Sequence, residues 1–367
     1  MDLDLTQIDA TLRAGTRDGP LDRAITTRLS DLDSGKYRRN TKIVLQQCTE
    51  YLRRHAHVEM TEISDIDAQG LRLYARALRR AVEREDLAAS TAEQYWAIVS
   101  AFLGWCVREG LLDSNPALLN EAKEPLPESD GDSSPQFWSE RERKAICATV
   151  DQHVDEVLAT DWAEQERLLA YRDRALVYTL AYSGCRGAEL AAVPDDKKRD
   201  GVTWVDLNLE DGIIEIYGKD RTKQTAPILD PAIGPLQRWQ DVLDPDEEWP
   251  IFPSGHLPTL YALLPDGVES DHERIWRQLQ ESEATPPSTS TRSVRRILER
   301  LCEQSDYEFD EVLQPHGARR GLGNELYQED AVLAQETLRH KNIETTHESY
   351  RDEQTRQLKE RADDIIE

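Results

Sequence analysis

Four stretches of the chain carry side chains able to grip an oxyanion or move a proton, and a tyrosine follows the last of them. The first is Ser183-Gly184-Cys185-Arg186-Gly187-Ala188-Glu189-Leu190, and the second is Gly218-Lys219-Asp220-Arg221-Thr222-Lys223. The third is Pro315-His316-Gly317-Ala318-Arg319; the fourth, Leu338-Arg339-His340-Lys341, runs on to Tyr350. A guanidinium presents a planar fork of N–H donors that matches the oxygens of a phosphate or carboxylate. Imidazole and ammonium groups transfer protons, and a phenol is a nucleophile once its proton is removed. Each stretch also has an ordinary reading. Arg186 and Glu189 fit a helical surface pair, a Gly-Lys in a hairpin fits turn chemistry, and a late tyrosine fits packing.

These residues need elements to hold them in place. Residues 1–23 are polar with scattered Leu and Ile and read as an N-terminal arm. Residues 24–117 read as an all-helical domain. Asn40 is placed to cap a helix carrying Val44, Cys48, Tyr51 and Leu52. Ser64 and Asp67 mark a start before Leu71, Tyr74, Ala75, Leu78 and Val82, and Ser90 with Glu93 forms a capping box before Tyr95, Ile98, Val99, Phe102 and Cys106. Asn115-Pro116 closes that block. Residues 118–137, rich in Pro, Ser and acidic side chains without periodicity, read as a linker. The second domain, 138–367, opens on a Ser139–Glu142 capping box. It continues through helical patterns to Leu176–Tyr182, strands at Val202–Leu207, Gly212–Tyr217 and Ala226–Leu229, and helices from Arg292–Cys302 onward. The expected class is mainly α with a small β-sheet: a helical domain followed by an α+β domain.

Composition bounds the rest. Seventy-one acidic residues against 45 basic ones give a net charge of −26, and the basic set holds ten Lys and thirty-five Arg. Acidity of this degree ordinarily argues against a nucleic-acid partner. A lysine-poor acidic surface also suits concentrated salt, where screening shortens electrostatic reach to about 3 Å at 1 M and local arginine contacts decide binding. One helical pattern carries Arg72, Arg76, Arg79, Arg80 and Arg84 opposite its apolar stripe, readable as a solvated face or as a surface for DNA phosphates. The five cysteines are scattered, with no CxxC pair and no zinc-site spacing, and read as reduced thiols in or near the core. No metal site is read. With no apolar run of membrane length and an acidic start, the chain is expected to be soluble and cytoplasmic.

Taken together and in this order, the four stretches and the tyrosine resemble the tyrosine recombinase (phage integrase) family. That family places an Arg in a (T/S)G-x-R-x-x-E-L segment, a Lys in a β-hairpin turn, an H-x-x-R pair, an L-x-H segment and a nucleophilic Tyr nine or ten residues later. Arg186, Lys219, His316, Arg319, His340 and Tyr350 take those positions here, with ten residues between His340 and Tyr350. The resemblance covers residues of about 30–355 and implies a helical core-binding (SAM-like) domain ahead of an α+β catalytic domain. It further implies double-stranded DNA sites as substrate, a homotetramer in the synapse, and a 3′-phosphotyrosine intermediate that conserves the phosphoester and needs no cofactor. Lys219 is the implied general acid, His316 assists removal of the Tyr350 proton, and Arg186, Arg319 and His340 bind the phosphate.

The chemistry agrees with that assignment. A phosphodiester repels nucleophiles, and attack builds negative charge that fixed Arg forks stabilise. Burial beside arginines is expected to lower the Tyr350 pKa. Several features depart from the family pattern. Lys223 competes with Lys219 as the acid, Asp195–Gly201 looks like an exposed charged insertion, and His347 reads either as an auxiliary base or as a solvated helix-end residue. The charged tail after Tyr350 offers Leu358, Ile365 and Ile366 as anchors on a neighbouring subunit. Two further readings stay open: a topoisomerase IB-like strand transferase, and a DNA-binding relative without catalysis.

Overall fold

The computed structural model describes residues 19–32, 35–55, 60–128, 135–160, 162–194, 196, 198–218, 222–347, 349–351, 355 and 358–359. It divides into two compact units, 1–134 and 135–367.

The first unit is helical: α1 (Pro20–Ser30), α2 (Gly35–His55), α3 (Ala68–Glu83), α4 (Ala89–Arg108) and the short α5 (Asn120–Lys123). The apolar stripe Leu71, Tyr74, Ala75 and Leu78 of α3 is fully buried, against Leu52, Phe102, Leu103 and Cys106. Asp67 caps α3 by accepting the Gly70 N–H at 2.7 Å. Two expected starts shift. Helix α2 begins at Gly35, so Asn40 lies inside it. Helix α4 begins after Ala88, whose extended backbone makes it the cap, and that puts Ser90 in the first turn instead of at the capping position. Asn115 turns the chain after α4, accepting the Ala117 N–H at 3.0 Å and donating to the Ser100 carbonyl at 2.9 Å. The chain then stays on this unit. Ala117 and Ala122 are buried, and Arg72 of α3 reaches the Glu121 carbonyl at 2.6 Å and the Glu124 carboxylate at 2.7 Å. The stretch read as linker is thus packed as far as Leu126, whose carbonyl accepts from Arg79. Small alanines hidden in a polar run carry little periodic signal, which is why the sequence reads as open there.

The second unit is built around α7 (Glu164–Tyr182). Leu176, Val177, Leu180 and Ala181 have no exposed surface, and exposed positions are confined to Glu166 and Arg167 in its first turn. It packs against α6 (Glu140–Ala159), α9 (Asp230–Leu243) and α13 (Pro315–Glu329). The Ser139–Glu142 capping box opens α6: the Ser139 N–H donates to Glu142 at 2.8 Å, and the Glu142 N–H donates to Ser139 Oγ at 3.2 Å. The helix α8 (Gly187–Leu190) leads to a three-stranded antiparallel sheet, β1 (Leu207–Asn208), β2 (Ile213–Tyr217) and β3 (Lys223–Pro227), with Ile214 opposite both Leu207 and Ala226. Ile214 and Ile216 face the core while Glu215 and Tyr217 face outward. The strand expected at Val202–Leu207 is mostly a 3-10 turn, because Asp206 folds back to accept from the Thr203 N–H (3.0 Å) and hydroxyl (2.8 Å). The segment 195–201 is not simply exposed: Asp196 is buried, and Arg199 is half-buried and donates to the Gly218 carbonyl at 3.1 Å.

Helices α10 (Leu257–Tyr261), α11 (Ile275–Glu281), α12 (Thr291–Gln304) and α14 (Ala331–Leu338) complete the described architecture, with helical backbone again at 343–347 and 349–351. Leu358 is exposed, and Ile365 and Ile366 lie outside the described residues, as do the first eighteen residues of the arm. All five cysteines are free thiols, four buried and Cys302 half-buried.

Trp138 joins the start of this unit to α13. Its ring donates to the Gln314 carbonyl at 3.0 Å and its backbone N–H to the Gly317 carbonyl at 3.0 Å. Close approach demands glycine here: a Cβ on Gly321 would stand 2.1 Å from the Trp138 carbonyl oxygen. Gly321→Ala is therefore expected to destabilise this unit by about 1–3 kcal/mol through overpacking, read as a lower midpoint in urea unfolding.

Candidate active site

Arg319 is 2% exposed, and its two terminal nitrogens donate to the carbonyls of Gly184 and Leu338. One guanidinium thus ties α13 to the loop before α8 and to the end of α14. Gly184 meets this contact in the left-handed region at φ +61°, with the position of a Cβ already 3.0 Å from Leu338. Burial first, and the charge of Arg186 second, lower the Arg319 pKa to about 10, which leaves it cationic at neutral pH.

Arg186 immediately precedes α8. Its side chain donates to Glu189 Oε1 at 2.6 Å, and its backbone N–H donates to Oε2 at 2.7 Å. The Glu189 side chain is 2% exposed while that of Arg186 is 31% exposed, so the pair is no surface bridge: a buried carboxylate anchors a guanidinium that faces outward. Glu189 Oε2 also accepts from Arg339 at 2.8 Å. Pro315, at the start of α13, packs so closely on Gly187 that a Cβ there would sit 2.9 Å from it. That contact sets His316 beside Arg186.

His316 and His340 are both lowered to about 4. For His316 the causes are desolvation, then the cations Arg320, Arg319 and Arg186. For His340 they are desolvation, then Arg319, Arg186, Arg339 and His316. His340 is held by a 2.8 Å hydrogen bond between Nδ1 and the hydroxyl of Thr346, a residue with no exposed surface. Both imidazoles are therefore neutral at pH 7.

Tyr350 is 1% exposed. Its hydroxyl occupies space that only glycine leaves free: a Cβ on Gly323 would fall 2.1 Å from it. Tyr327 packs on the ring at 5.5 Å between centroids, and Phe137 meets it edge-on at 6.2 Å. The expected lowering of the phenol pKa is not found. Desolvation pushes it up to about 12 and outweighs the opposing charges of Arg319 and Arg320. His347 is half-buried, and its Nδ1 is hydrogen-bonded to the Tyr327 hydroxyl.

Residues 152–357 match the model of the phage integrase family. The chain belongs to that family, the tyrosine recombinases. It is an enzyme of this class. It is 28% identical over 184 residues to the tyrosine recombinase XerD of Pseudomonas aeruginosa, spanning 47% of this chain and 51% of that protein. With XerC of Mycobacterium tuberculosis it shares 26% over 261 residues, 71% of each. The chain thus spans about half the length of the first relative. Its fold is similar to that of the XerH recombinase bound to a palindromic difH substrate (TM-score 0.57, 13% identity, 96% of this chain and 99% of that one). It is also similar to a lambda integrase dimer bound to a COC′ core site (TM-score 0.54, 15% identity, 94% and 84%).

Of the six residues picked out by motif, Arg186, His316, His340 and Tyr350 gather around Arg319, and Lys219 lies outside the described residues. Lys223 is exposed on β3, bonded to Glu215 at 3.0 Å and 3.9 Å from Asp206. The roles of Glu189, Arg339, Gly323 and Thr346 were not assigned from sequence. The spacing of Glu189 three residues after Arg186 signals their pairing, whereas Gly323 and Thr346 carry no local signal. On α3, Arg76, Arg79 and Arg80 are exposed and Arg72 is half-buried against α5 and its carboxylate partner. Among the described residues no group of His, Cys, Asp and Glu could hold a metal, and no helix is long and apolar enough to cross a membrane.

The two lowered histidines predict a pH dependence of stability. The unfolded chain, with ordinary values near 6.5, binds more protons than the folded one between pH 6.5 and about 4. Stability should therefore be fully present above pH 6.5 and fall as pH drops through that window. Urea midpoints measured at pH 7 and pH 5 should differ less in the His316→Asn/His340→Asn variant than in the wild type.

Proposed function

We propose that this recombinase cleaves and rejoins duplex DNA at specific sites through Tyr350, forming a 3′-phosphotyrosine bond and releasing a 5′-hydroxyl. The observation that carries this reading is the gathering of the Arg186 guanidinium, two neutral imidazoles and a buried phenol around Arg319. A cationic cluster anchored by one internal carboxylate suits a dianionic five-coordinate phosphorus.

Arg186, the more exposed of the two guanidinium groups, meets the phosphate together with Arg319 and His340, while neutral His316 assists removal of the phenol proton. Lys219 is the proton donor to the leaving 5′-oxygen; Lys223 would first have to leave two carboxylates. Because the phosphoester passes from sugar to tyrosine and back, rejoining needs no ATP. In this reading the helical domain over 24–117 is the core-binding domain, with Arg76, Arg79 and Arg80 on DNA phosphates and Arg72 kept for the fold. The residues from 138 onward form the catalytic domain. Two protomers occupy each site and four form the synapse. The acidic composition places this activity in concentrated salt.

Covalent trapping tests the proposal. A nicked suicide duplex, drawn from a library of candidate sites and incubated in molar salt, should give a denaturation-resistant adduct with the wild type and none with Tyr350→Phe. An adduct that persists in the variant removes Tyr350 as nucleophile, and none on a site the protein binds leaves the DNA-binding-only alternative. Gly323→Ala keeps every charged group yet fills the slot of the phenol, so it should bind the same site and give adduct roughly a hundred-fold more slowly, the scale for an ångström of misplacement.

A further inference from the structure

Arg339 stands at the C-terminal end of α14 with φ +56° and ψ 43°, a left-handed cap whose N–H donates to the Gln335 and Glu336 carbonyls. Glycine is the residue that adopts this conformation freely, and a long side chain there strains the backbone. A strained choice that persists points to something the side chain does.

Its guanidinium turns inward. One terminal nitrogen donates to Glu189 Oε2 at 2.8 Å and the other to the Thr337 carbonyl at 3.2 Å, and its Nε is buried without a partner among the described residues. Glu189 is the carboxylate that fixes Arg186 by both its side chain and its backbone N–H. We infer that Arg339 is a positioning residue of the active site: by bonding Glu189 Oε2 it locks that carboxylate, and through it the guanidinium of Arg186.

The assignment rests on the reaction proposed above and adds a residue to it. Arg339 is assigned to Glu189 and not to the phosphate: it spends its charge on a carboxylate where Arg319 bonds neutral carbonyls, and it lacks the outward face of Arg186. Nor does it serve the fold alone, since glycine would suit the cap better. What the arginine adds is a second cation on a buried carboxylate. Without it Glu189 keeps, among the described residues, Arg186 as its ion-pair partner, and the Arg186 fork is free to swing with it. With it, the segment before His340 and the segment holding Arg186 share one ion network, so one end of the site cannot shift without the other.

The test compares R339G, E189Q and the double variant in single-turnover cleavage of the trapped site, with DNA affinity and melting temperature measured alongside. R339G relieves the backbone and should melt at or above the wild-type temperature and bind DNA equally. It should nonetheless cleave roughly ten- to a hundred-fold more slowly, the scale for a misplaced reacting group. In the E189Q background the same substitution should add little, because the two residues act in series. Wild-type cleavage by R339G overturns the inference, and so does a full additional loss in the double variant. If R339G fails to fold, R339Q, similar in length but uncharged, takes its place: slower cleavage at an unchanged melting temperature supports the role, and the wild-type rate ends it. Absence of any Tyr350-dependent adduct with the wild type would instead strike the proposed reaction, before any variant is compared.

Discussion

A guanidinium taken out of water is tolerated only where hydrogen bonds and charge replace its hydration. Arg319 satisfies that demand with two backbone carbonyls, and the identity of those carbonyls organises the site. The Gly184 carbonyl belongs to the loop that leads into Arg186, and the Leu338 carbonyl to the helix end that leads into His340. Carbonyls are neutral, so the pair solvates the cation without neutralising it. Positive potential survives in a buried place, and after burial itself it is the second cause of the depressed values of both histidines. Glu189 offsets it close by, and Arg186 and Arg339 already share that carboxylate. The local excess of positive charge is a standing invitation to an anion.

That excess sits in a chain of net charge −26. The two facts are compatible because they act over different distances. A phosphate at contact feels the forks of Arg186 and Arg319 within a few ångström, while the acidic remainder acts through solvent and is screened within roughly 8–10 Å at ordinary ionic strength. Net charge therefore speaks to encounter and solubility, and the constellation speaks to chemistry. A reading from composition alone points away from DNA for this reason, and motif order corrects it.

Residues whose role follows from their own type were the legible ones. The stripe Leu71, Tyr74, Ala75 and Leu78 announces a buried helix face by its spacing, and Ser139 with Glu142 announces a helix start by reciprocal bonding; both are found as expected. Arg186, His316, Arg319, His340 and Tyr350 were found through their order along the chain. What was not legible depends on the third dimension. Gly323 looks like any helical glycine until Tyr350 is packed against it from 27 residues further on. The strand expected at Val202–Leu207 has suitable residues, yet Asp206 closes a turn on Thr203 before pairing can extend. The stretch after Leu118 has the composition of a linker, and it is packed because Arg72 and Arg79 of α3 find partners in it. The direction of the Tyr350 shift is the sharpest case. Sequence places cations near the phenol, but the balance between their charge and lost hydration depends on how completely the slot is sealed.

That balance carries the last step of the argument. A phenol held up at about 12 is almost wholly protonated at neutral pH, so in this state Tyr350 is a guarded nucleophile. The burial that guards it also brings it within reach of Arg319 and Arg320. A bound phosphate would partly neutralise those cations and make the phenolate harder still to form in advance. Under the proposed chemistry the proton must therefore leave during attack, as charge passes from the phenol oxygen to the phosphoryl oxygens that the arginines already hold. Neutral His316, given that role in the proposed reaction, can receive it at that moment, because the cations that add to burial in depressing its basicity lose their grip as negative charge develops between them. In the proposed reaction, proton, nucleophile and charge therefore move together only when a phosphate is present.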